Sequence, residues 1–288
     1  MNSTMPMDKS VSSAPIGIFD SGIGGLSILR HIRTALPHEN LLYFADSGHA
    51  PYGDKTEQFI LERTLTIADF LLQHQAKALV IACNTATAAA IKAVRAAYPN
   101  LPVIGVEPGL KPAALQTHSK IVGVLATKST LSSVPFITLL QKISQVSDVH
   151  FELQACVGLV DQIERGLLHD ATTEQLITRY VTPLIASGAD TLVLGCTHYP
   201  LIRPFIEQTV KRLTDKEYSI IDTGDAVTKQ LIRVLTQQNL QNPQQISGLL
   251  TAYTSASKAA LEIAFVHLLK LQPTVLAVST ESTITKIG

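Results

Sequence analysis

Ala78-Leu79-Val80-Ile81-Ala82-Cys83-Asn84-Thr85 and Thr191-Leu192-Val193-Leu194-Gly195-Cys196-Thr197-His198 are two copies of one pattern. Each is an apolar run of strand length, then a small residue, a cysteine and a polar pair containing threonine. Helical spacing follows both. A short, continuous apolar run of this kind reads as a strand buried on both faces of a parallel sheet. Each cysteine is therefore expected where a strand ends and a helix begins. In open α/β sheets ligands bind at that carboxyl end. Two thiols placed alike in two half-chains suggest one site with a sulfur on each side.

The flanking segments repeat as well. Ile16-Gly17-Ile18-Phe19 is a short apolar strand, followed by the loop Asp20-Ser21-Gly22-Ile23-Gly24-Gly25 and by Leu26, Leu29, Ile32 and Leu36 at helical spacing. Glycines there let the backbone approach a ligand, and the helix N-terminus favours an anion. Leu41 to Asp46 reads as a strand, Ser47 to Lys55 as a surface loop and Ile60 to Gln75 as a helix. A helix over Ala86 to Tyr98 and a strand over Leu101 to Val106 follow the first cysteine. Ile121 to Ala126 then echoes the opening strand, with Thr127 to Thr130 in place of the aspartate–serine loop. Residues 133–143 look helical, Phe151 to Cys156 extended, and Leu159 to Gly166 and Thr173 to Ser187 helical. The second cysteine strand, a helix led by Pro200 and a strand at Ser219 to Gly224 complete the second half.

The offset between the opening strands, Ile16 to Val122, is close to that between Cys83 and Cys196, which supports a duplication. Alternating strands and helices imply parallel sheets. The expected fold class is α/β: two pseudo-symmetric open α/β domains with mostly parallel sheets and the active site in the cleft between them. Residues 1–14 are expected to be a disordered lead-in, residues 15–112 with 225–288 the first domain, and residues 113–224 the second. The last segment carries a helix to about Thr236, a glutamine-rich loop, a strand at Leu249 to Tyr253 and a helix at Ser257 to Leu269. It is assigned to the first half because the second already looks complete.

The chain has 288 residues, 46% of them apolar, enough for a sizeable core. Lys+Arg and Asp+Glu are both 23, so the basic excess of a nucleic-acid binder is missing. The longest apolar runs fall short of a membrane span. Met1 to Ala14 lacks the apolar core of a signal peptide, which points to a cytoplasmic protein. Three widely spaced cysteines make no disulfide framework. No short-spaced cysteine or histidine pair indicates a metal site.

Cysteine is commonly buried, and core packing is the preferred reading of Cys156, which has no polar companions. Cys83 and Cys196 lie instead at strand-to-helix junctions, where a helix N-terminus lowers a thiol pKa. Asn84, Thr85, Thr197 and His198 add hydrogen-bonding groups beside them. Asp20 and Ser21 could each cap the first helix, yet they also stand at the mouth of the sheet, near Cys83 if the strands are neighbours. His198 is either an ordinary loop histidine or an acid–base partner of a thiol. Glu164, taken alone, reads as a solvated helix residue.

The segment from Ile16 to Leu26 resembles the amino-terminal signature of bacterial glutamate racemases. Pro51-Tyr52-Gly53, Ala82-Cys83-Asn84-Thr85-Ala86 and Gly195-Cys196-Thr197-His198-Tyr199-Pro200-Leu201 match that family's other motifs in order. The resemblance covers about Ile16 to Gly224; the words before Glu164, Val157 to Gln162, depart from the commoner family pattern. It implies a cofactor-independent racemase that interconverts L- and D-glutamate and supplies D-glutamate to peptidoglycan. It implies that Cys83 takes the α-proton from D-glutamate and Cys196 from L-glutamate. Asp20 and His198 carry over as acid–base helpers, Glu164 as a helper of Cys196. Asp20, Ser21, Tyr52, Gly53, Asn84, Thr85, Thr127, Thr197 and His198 carry over as substrate-binding residues. No metal, cofactor, nucleic acid or membrane is implied, and a homodimer is one option the sequence leaves open. A racemase of aspartate or another amino acid is the nearest rival. A two-domain binding protein for a small anion and a thiol–disulfide protein are the others.

Overall fold

The computed structural model describes residues 12–279. The expected lead-in at 1–14 lies outside the described residues except for Ser12, Ser13 and Ala14. Lys77 Nζ, buried in an ion pair with Glu39, donates to the Ser12 carbonyl.

The chain runs through β1 (Ile16–Asp20), α1 (Leu26–Ala35), β2 (Leu41–Ala45), α2 (Glu57–Gln73), β3 (Ala78–Ile81), α3 (Asn84–Ala97), β4 (Val103–Gly105) and α4 (Leu110–Gln116). It continues through β5 (Ile121–Ala126), α5 (Lys128–Ser132), α6 (Val134–Ser147), β6 (His150–Ala155), α7 (Leu159–Glu164), α8 (Ala171–Ala186), β7 (Thr191–Gly195), α9 (Arg203–Leu213) and β8 (Ser219–Ile221). Then come α10 (Gly224–Gln237), β9 (Leu250–Thr254), α11 (Lys258–Ala264) and β10 (Thr274–Ala277). One sheet has the order β10-β9-β2-β1-β3-β4 and the other β6-β5-β7-β8. Every pairing in both is parallel.

The inner strands β1, β3, β5 and β7 are almost wholly apolar and buried because helices cover both faces of each sheet, whereas the edge strands β6 and β10 are only partly buried. Side chains alternate between faces with period two. Ile16, Ile18, Tyr43, Ala78 and Val80 thus enter one core cluster, and Phe19, Phe44, Leu79 and Ile81 another. The first cluster also takes Leu125, Leu192, Leu194 and Tyr199 from the second sheet and its flank, so one apolar core runs through both halves.

The strand orders place the site. In the first sheet β2 lies on one side of β1 and β3 on the other; in the second, β6 and β7 flank β5 in the same way. Such a reversal opens a crevice at the carboxyl ends of the two central strands. Asp20 and Ser21 leave β1 beside Cys83 after β3. Thr127 leaves β5 beside Cys196 after β7.

Several expectations need correction. Ser47 to Lys55 is not simply a surface loop: Tyr52 in its 3₁₀ turn, Tyr52–Asp54, is fully buried. The buried Asp46 carboxylate, which accepts the Tyr52 hydroxyl at 2.6 Å, draws it inward. Helix α4 went unanticipated because seven residues with Pro112 in the first turn give no periodic signal. Strand β10 shows only Val275 to the core, so its four residues carry no alternation to read. The expected helix over 257–269 is α11 followed by a π-helical turn, Phe265–Leu269.

Candidate active site

Cys83 is the N-cap of α3. Its Sγ accepts the Ala86 N–H at 3.4 Å and lies 3.7 Å from Ser21 Oγ, to which the thiol donates. Because β1 pairs directly with β3, Ser21 is brought to the sulfur by register alone. Asn84 and Thr85 form the first turn of α3. Thr85 Oγ1 lies 3.1 Å from Thr127 Oγ1 and 3.2 Å from Thr130 Oγ1, joining the strand ends of the two sheets. Thr127 also caps α5, accepting the Thr130 N–H at 3.1 Å.

The second thiol sits on a relay. Cys196 Sγ is 3.6 Å from His198 Nδ1, and His198 Nε2 is 2.5 Å from Glu164 Oε1. Glu164 Oε1 also accepts the Ile23 N–H at 2.7 Å, and Oε2 accepts Ser47 Oγ–H at 3.3 Å. A thiol, an imidazole and an orienting carboxylate in sequence form the arrangement that activates a nucleophile or base. The solvated-helix reading of Glu164 is therefore wrong: it ends α7 with its carboxylate fully engaged. The loop reading of His198 is also wrong, since its ring is buried. Burial by itself lowers the His198 pKa. The hydrogen bonds and charges of Cys196 and Glu164 outweigh it and hold the imidazole well above its usual value.

Asp20 caps no helix; Gly25 occupies the N-cap of α1 without a side-chain bond. Asp20 Oδ2 accepts the Gly22 N–H at 3.1 Å, and Oδ1 accepts Thr197 Oγ1–H at 3.0 Å. It reaches across to the second cysteine's loop rather than bonding the Cys83 thiol. Burial raises its pKa first, the His198 charge opposes this and Glu164 adds to it. We expect Asp20→Asn to fold normally, because Oδ1 and Oδ2 can become an amide pair with Thr197 Oγ1 accepting instead of donating. Turnover should fall with little change in melting temperature. A large stability loss with normal turnover would show that Asp20 serves the fold alone.

The glycine loop has a purpose the sequence concealed. A Cβ on Gly22 would lie 1.9 Å from Glu164 Oε1, and one on Gly24 would lie 2.4 Å from His198 Nδ1. The anion held near the N-terminus of α1 is thus the protein's own Glu164 carboxylate. Ser27 Oγ donates within 2.9 Å of the Thr197 carbonyl and 2.8 Å of the Gly24 carbonyl, tying the same two loops together.

A small, tightly walled cavity lies between the thiols. Ser21, Tyr52, Gly53, Cys83, Asn84, Thr85, Thr127, Cys196, Thr197 and His198 line it, with Pro51 and Val160. Asp20 and Glu164 stand behind this lining. Val160, an apolar residue on a short helix, carries no signal in the sequence that would have found it. A larger cleft, with Lys92, Arg95 and Arg233 on its walls, holds neither thiol. Among the described residues, the Asn84 Nδ2 group finds no hydrogen-bond partner although it is buried. An unpartnered buried donor of this kind is costly unless a ligand satisfies it. Among the described residues, no three His, Cys, Asp or Glu side chains are grouped to hold a metal ion, and no helix is long and apolar enough to cross a membrane.

The junction does not lower the Cys83 pKa as anticipated. Burial, with the Asp20 charge second, pushes the thiol up to about 12, and the Ala86 N–H only partly offsets this. The folded value lies above the ordinary 9.0, so the thiol's contribution to stability is complete below pH 9.0 and is lost as pH rises toward about 12. The melting-temperature advantage of wild type over Cys83→Ser should therefore shrink between those values. A constant difference would mean that the thiol is solvated.

Two parallel α/β sheets, each with a cysteine after a strand beside its central strand, meet at a cavity lined by both thiols, the layout of an α/β enzyme with its site at the strand ends. The family model described as Asp/Glu/Hydantoin racemase matches residues 22–231, and the chain belongs to that family. It is an amino-acid racemase, an isomerase. A glutamate racemase of Ectopseudomonas mendocina is 53% identical over 229 residues, covering 80% of this chain and 85% of the relative. The solved glutamate racemase of Bacillus anthracis superposes with a TM-score of 0.82 at 30% identity, covering 93% of this chain and 98% of that one. That of Francisella tularensis, solved in complex with D-glutamate, gives 0.80 at 29% identity, covering 94% and 99%.

Proposed function

We propose that this protein interconverts L- and D-glutamate by proton transfer at Cα between two cysteines, without a cofactor. The carrying observation is that Cys83 and Cys196 line one cavity in a chain so similar to glutamate racemases. Racemisation needs a base on one face of Cα and an acid on the other, with roles exchanged by direction. Two like groups at pseudo-symmetric positions meet that need. Cys83 takes the proton from D-glutamate and Cys196 from L-glutamate, and the opposite thiol reprotonates the other face.

The surrounding residues support these roles. His198, backed by Glu164, assists Cys196. On the other side Ser21 touches the Cys83 sulfur, and Asp20 fixes Thr197 and contributes charge. The Asn84 amide, the Thr85 and Thr127 hydroxyls, the Thr197 loop and the Tyr52–Gly53 turn hold the substrate's carboxylates. Substrate binding supplies the donors that stabilise the carbanion-like transition state in a water-poor cavity. The same reading makes the protein a cytoplasmic supplier of D-glutamate for peptidoglycan.

Circular dichroism of the amino acid tests the substrate. From either enantiomer of glutamate the signal should decay to zero without added pyridoxal phosphate or metal. Decay with aspartate alone, or only after pyridoxal phosphate is supplied, would refute the assignment.

A further inference from the structure

We propose that Arg63, which does not line the cavity, is a positioning residue for it: through Asp46 it fixes the Tyr52–Gly53 turn that forms one wall. The inference rests on the glutamate racemase reading of that cavity.

Arg63 lies on α2, its side chain almost entirely buried. Its guanidinium donates from Nε to Asp46 Oδ2 at 3.0 Å and from Nη2 to Asp46 Oδ1 at 2.7 Å. This two-pronged contact fixes the plane of the carboxylate as well as its place. Asp46 follows β2 directly, and its N–H donates to the Asp20 carbonyl at 3.0 Å, so it starts from a fixed strand end. The same carboxylate accepts the Tyr52 hydroxyl at 2.6 Å and stands 3.0 Å from His49 Nδ1. Asp46 has no solvent exposure, and a carboxylate so placed needs a cation and several donors around it. Arg63 supplies the charge and two of the donors.

The consequence reaches the cavity in two steps. With its hydroxyl tied to Asp46 and its ring edge-on to Phe59 at 6.5 Å, Tyr52 cannot swing out of the 3₁₀ turn. Gly53 then rests on Thr127, where an added Cβ would lie 3.0 Å from Thr127 Cβ. Thr127 in turn is bonded to Thr85. Tyr52, Gly53, Thr85 and Thr127 are all cavity residues. Ser47, next to Asp46, donates to Glu164, so the loop also touches the relay behind Cys196. The main effect falls on the wall, because the Asp46 carboxylate contacts Tyr52 and His49 of the loop directly, whereas the relay is reached only through Ser47.

Arg63→Lys keeps the charge and loses the planar fork. We expect KM for both enantiomers to rise about tenfold or more, with kcat reduced less than about threefold, the pattern of lost substrate positioning. Tyr52→Phe keeps the Arg63–Asp46 pair and removes only the hydroxyl bond, so it remains informative if Arg63→Lys fails to fold. It should raise KM in the same direction, and the double variant should lose less than the product of the two single effects. The proposal is overturned if kcat falls while KM stays constant in Tyr52→Phe, if neither constant moves, or if the two effects multiply independently. Wild-type protein in the same assay separates the two ideas: absence of glutamate racemisation there defeats the underlying reading, whereas active wild type with unaffected variants defeats only the role of Arg63.

Discussion

Cys83→Ala and Cys196→Ala should each abolish racemisation, with a loss of at least about 10³-fold in kcat. Either variant leaves a cavity with one thiol. That thiol can remove the proton from one enantiomer and return it to the same face, but it cannot deliver a proton to the other. Both sulfurs are small and buried, and each has a hydrogen-bonded neighbour that survives the change: Ser21 for Cys83 and His198 for Cys196. The fold should therefore persist, and melting curves will confirm that lost activity is not lost structure. Cys156→Ala gives the contrast. That thiol is buried in the apolar cluster with Leu159 and Val160 and donates to the Gln154 carbonyl at 3.5 Å. It should lose some stability and keep turnover. Near wild-type turnover in Cys196→Ala would return Cys196 to core packing.

Gly24→Ala should lower kcat/KM by about 10²-fold, although it adds only one methyl group. The new Cβ would lie 2.4 Å from His198 Nδ1 and 2.7 Å from Thr197 Oγ1, distances at which something must shift. His198 is held on its far side by Glu164, so displacement must pull the imidazole from Cys196 or from Glu164. Overpacking of this kind also costs about 1–3 kcal/mol of stability. Gly188→Ala separates the two effects. Gly188 has φ of +93° in the turn after α8, with Ile121 Cδ1 3.4 Å from an added Cβ. It should destabilise through backbone strain and leave kcat/KM intact. Equal catalytic losses in the two variants would show that Gly24 matters for the fold and not for the relay.

The sequence revealed those parts of the molecule that repeat or lie on uninterrupted apolar runs. The cysteine strands, the opening strand of each half and the long helices all bury a continuous face, and such a face is legible as periodicity. Short elements whose burial depends on neighbours were not. Helix α4 has a proline in its first turn, β10 shows one buried residue, and the turn at Tyr52 is held inside by a carboxylate six positions earlier. The candidate site was legible where its members end a strand or lie just after one: Asp20, Ser21, Cys83, Asn84, Thr85, Thr127, Cys196, Thr197 and His198. Glu164 ends a short helix, and only the contact with Ile23 and His198 gives it meaning. Arg63 and Asp46 looked like ordinary charged residues, because an ion pair between distant positions leaves no trace in local pattern. The pKa of Cys83 was misjudged for a related reason. A helix N-terminus can be recognised from sequence, whereas the burial that outweighs it cannot.

The central claim, proton delivery by a second thiol on the opposite face, is tested most directly by early turnover of L-glutamate in heavy water. With Cys196 removing the proton and Cys83 supplying a new one, the first D-glutamate formed should carry deuterium at Cα. The remaining L-glutamate should carry little, because the abstracting thiol can return its proton before exchange. Starting from D-glutamate, the pattern should be mirrored. Early product that retains protium would contradict the account, because a single group would then have carried the same proton from one face to the other.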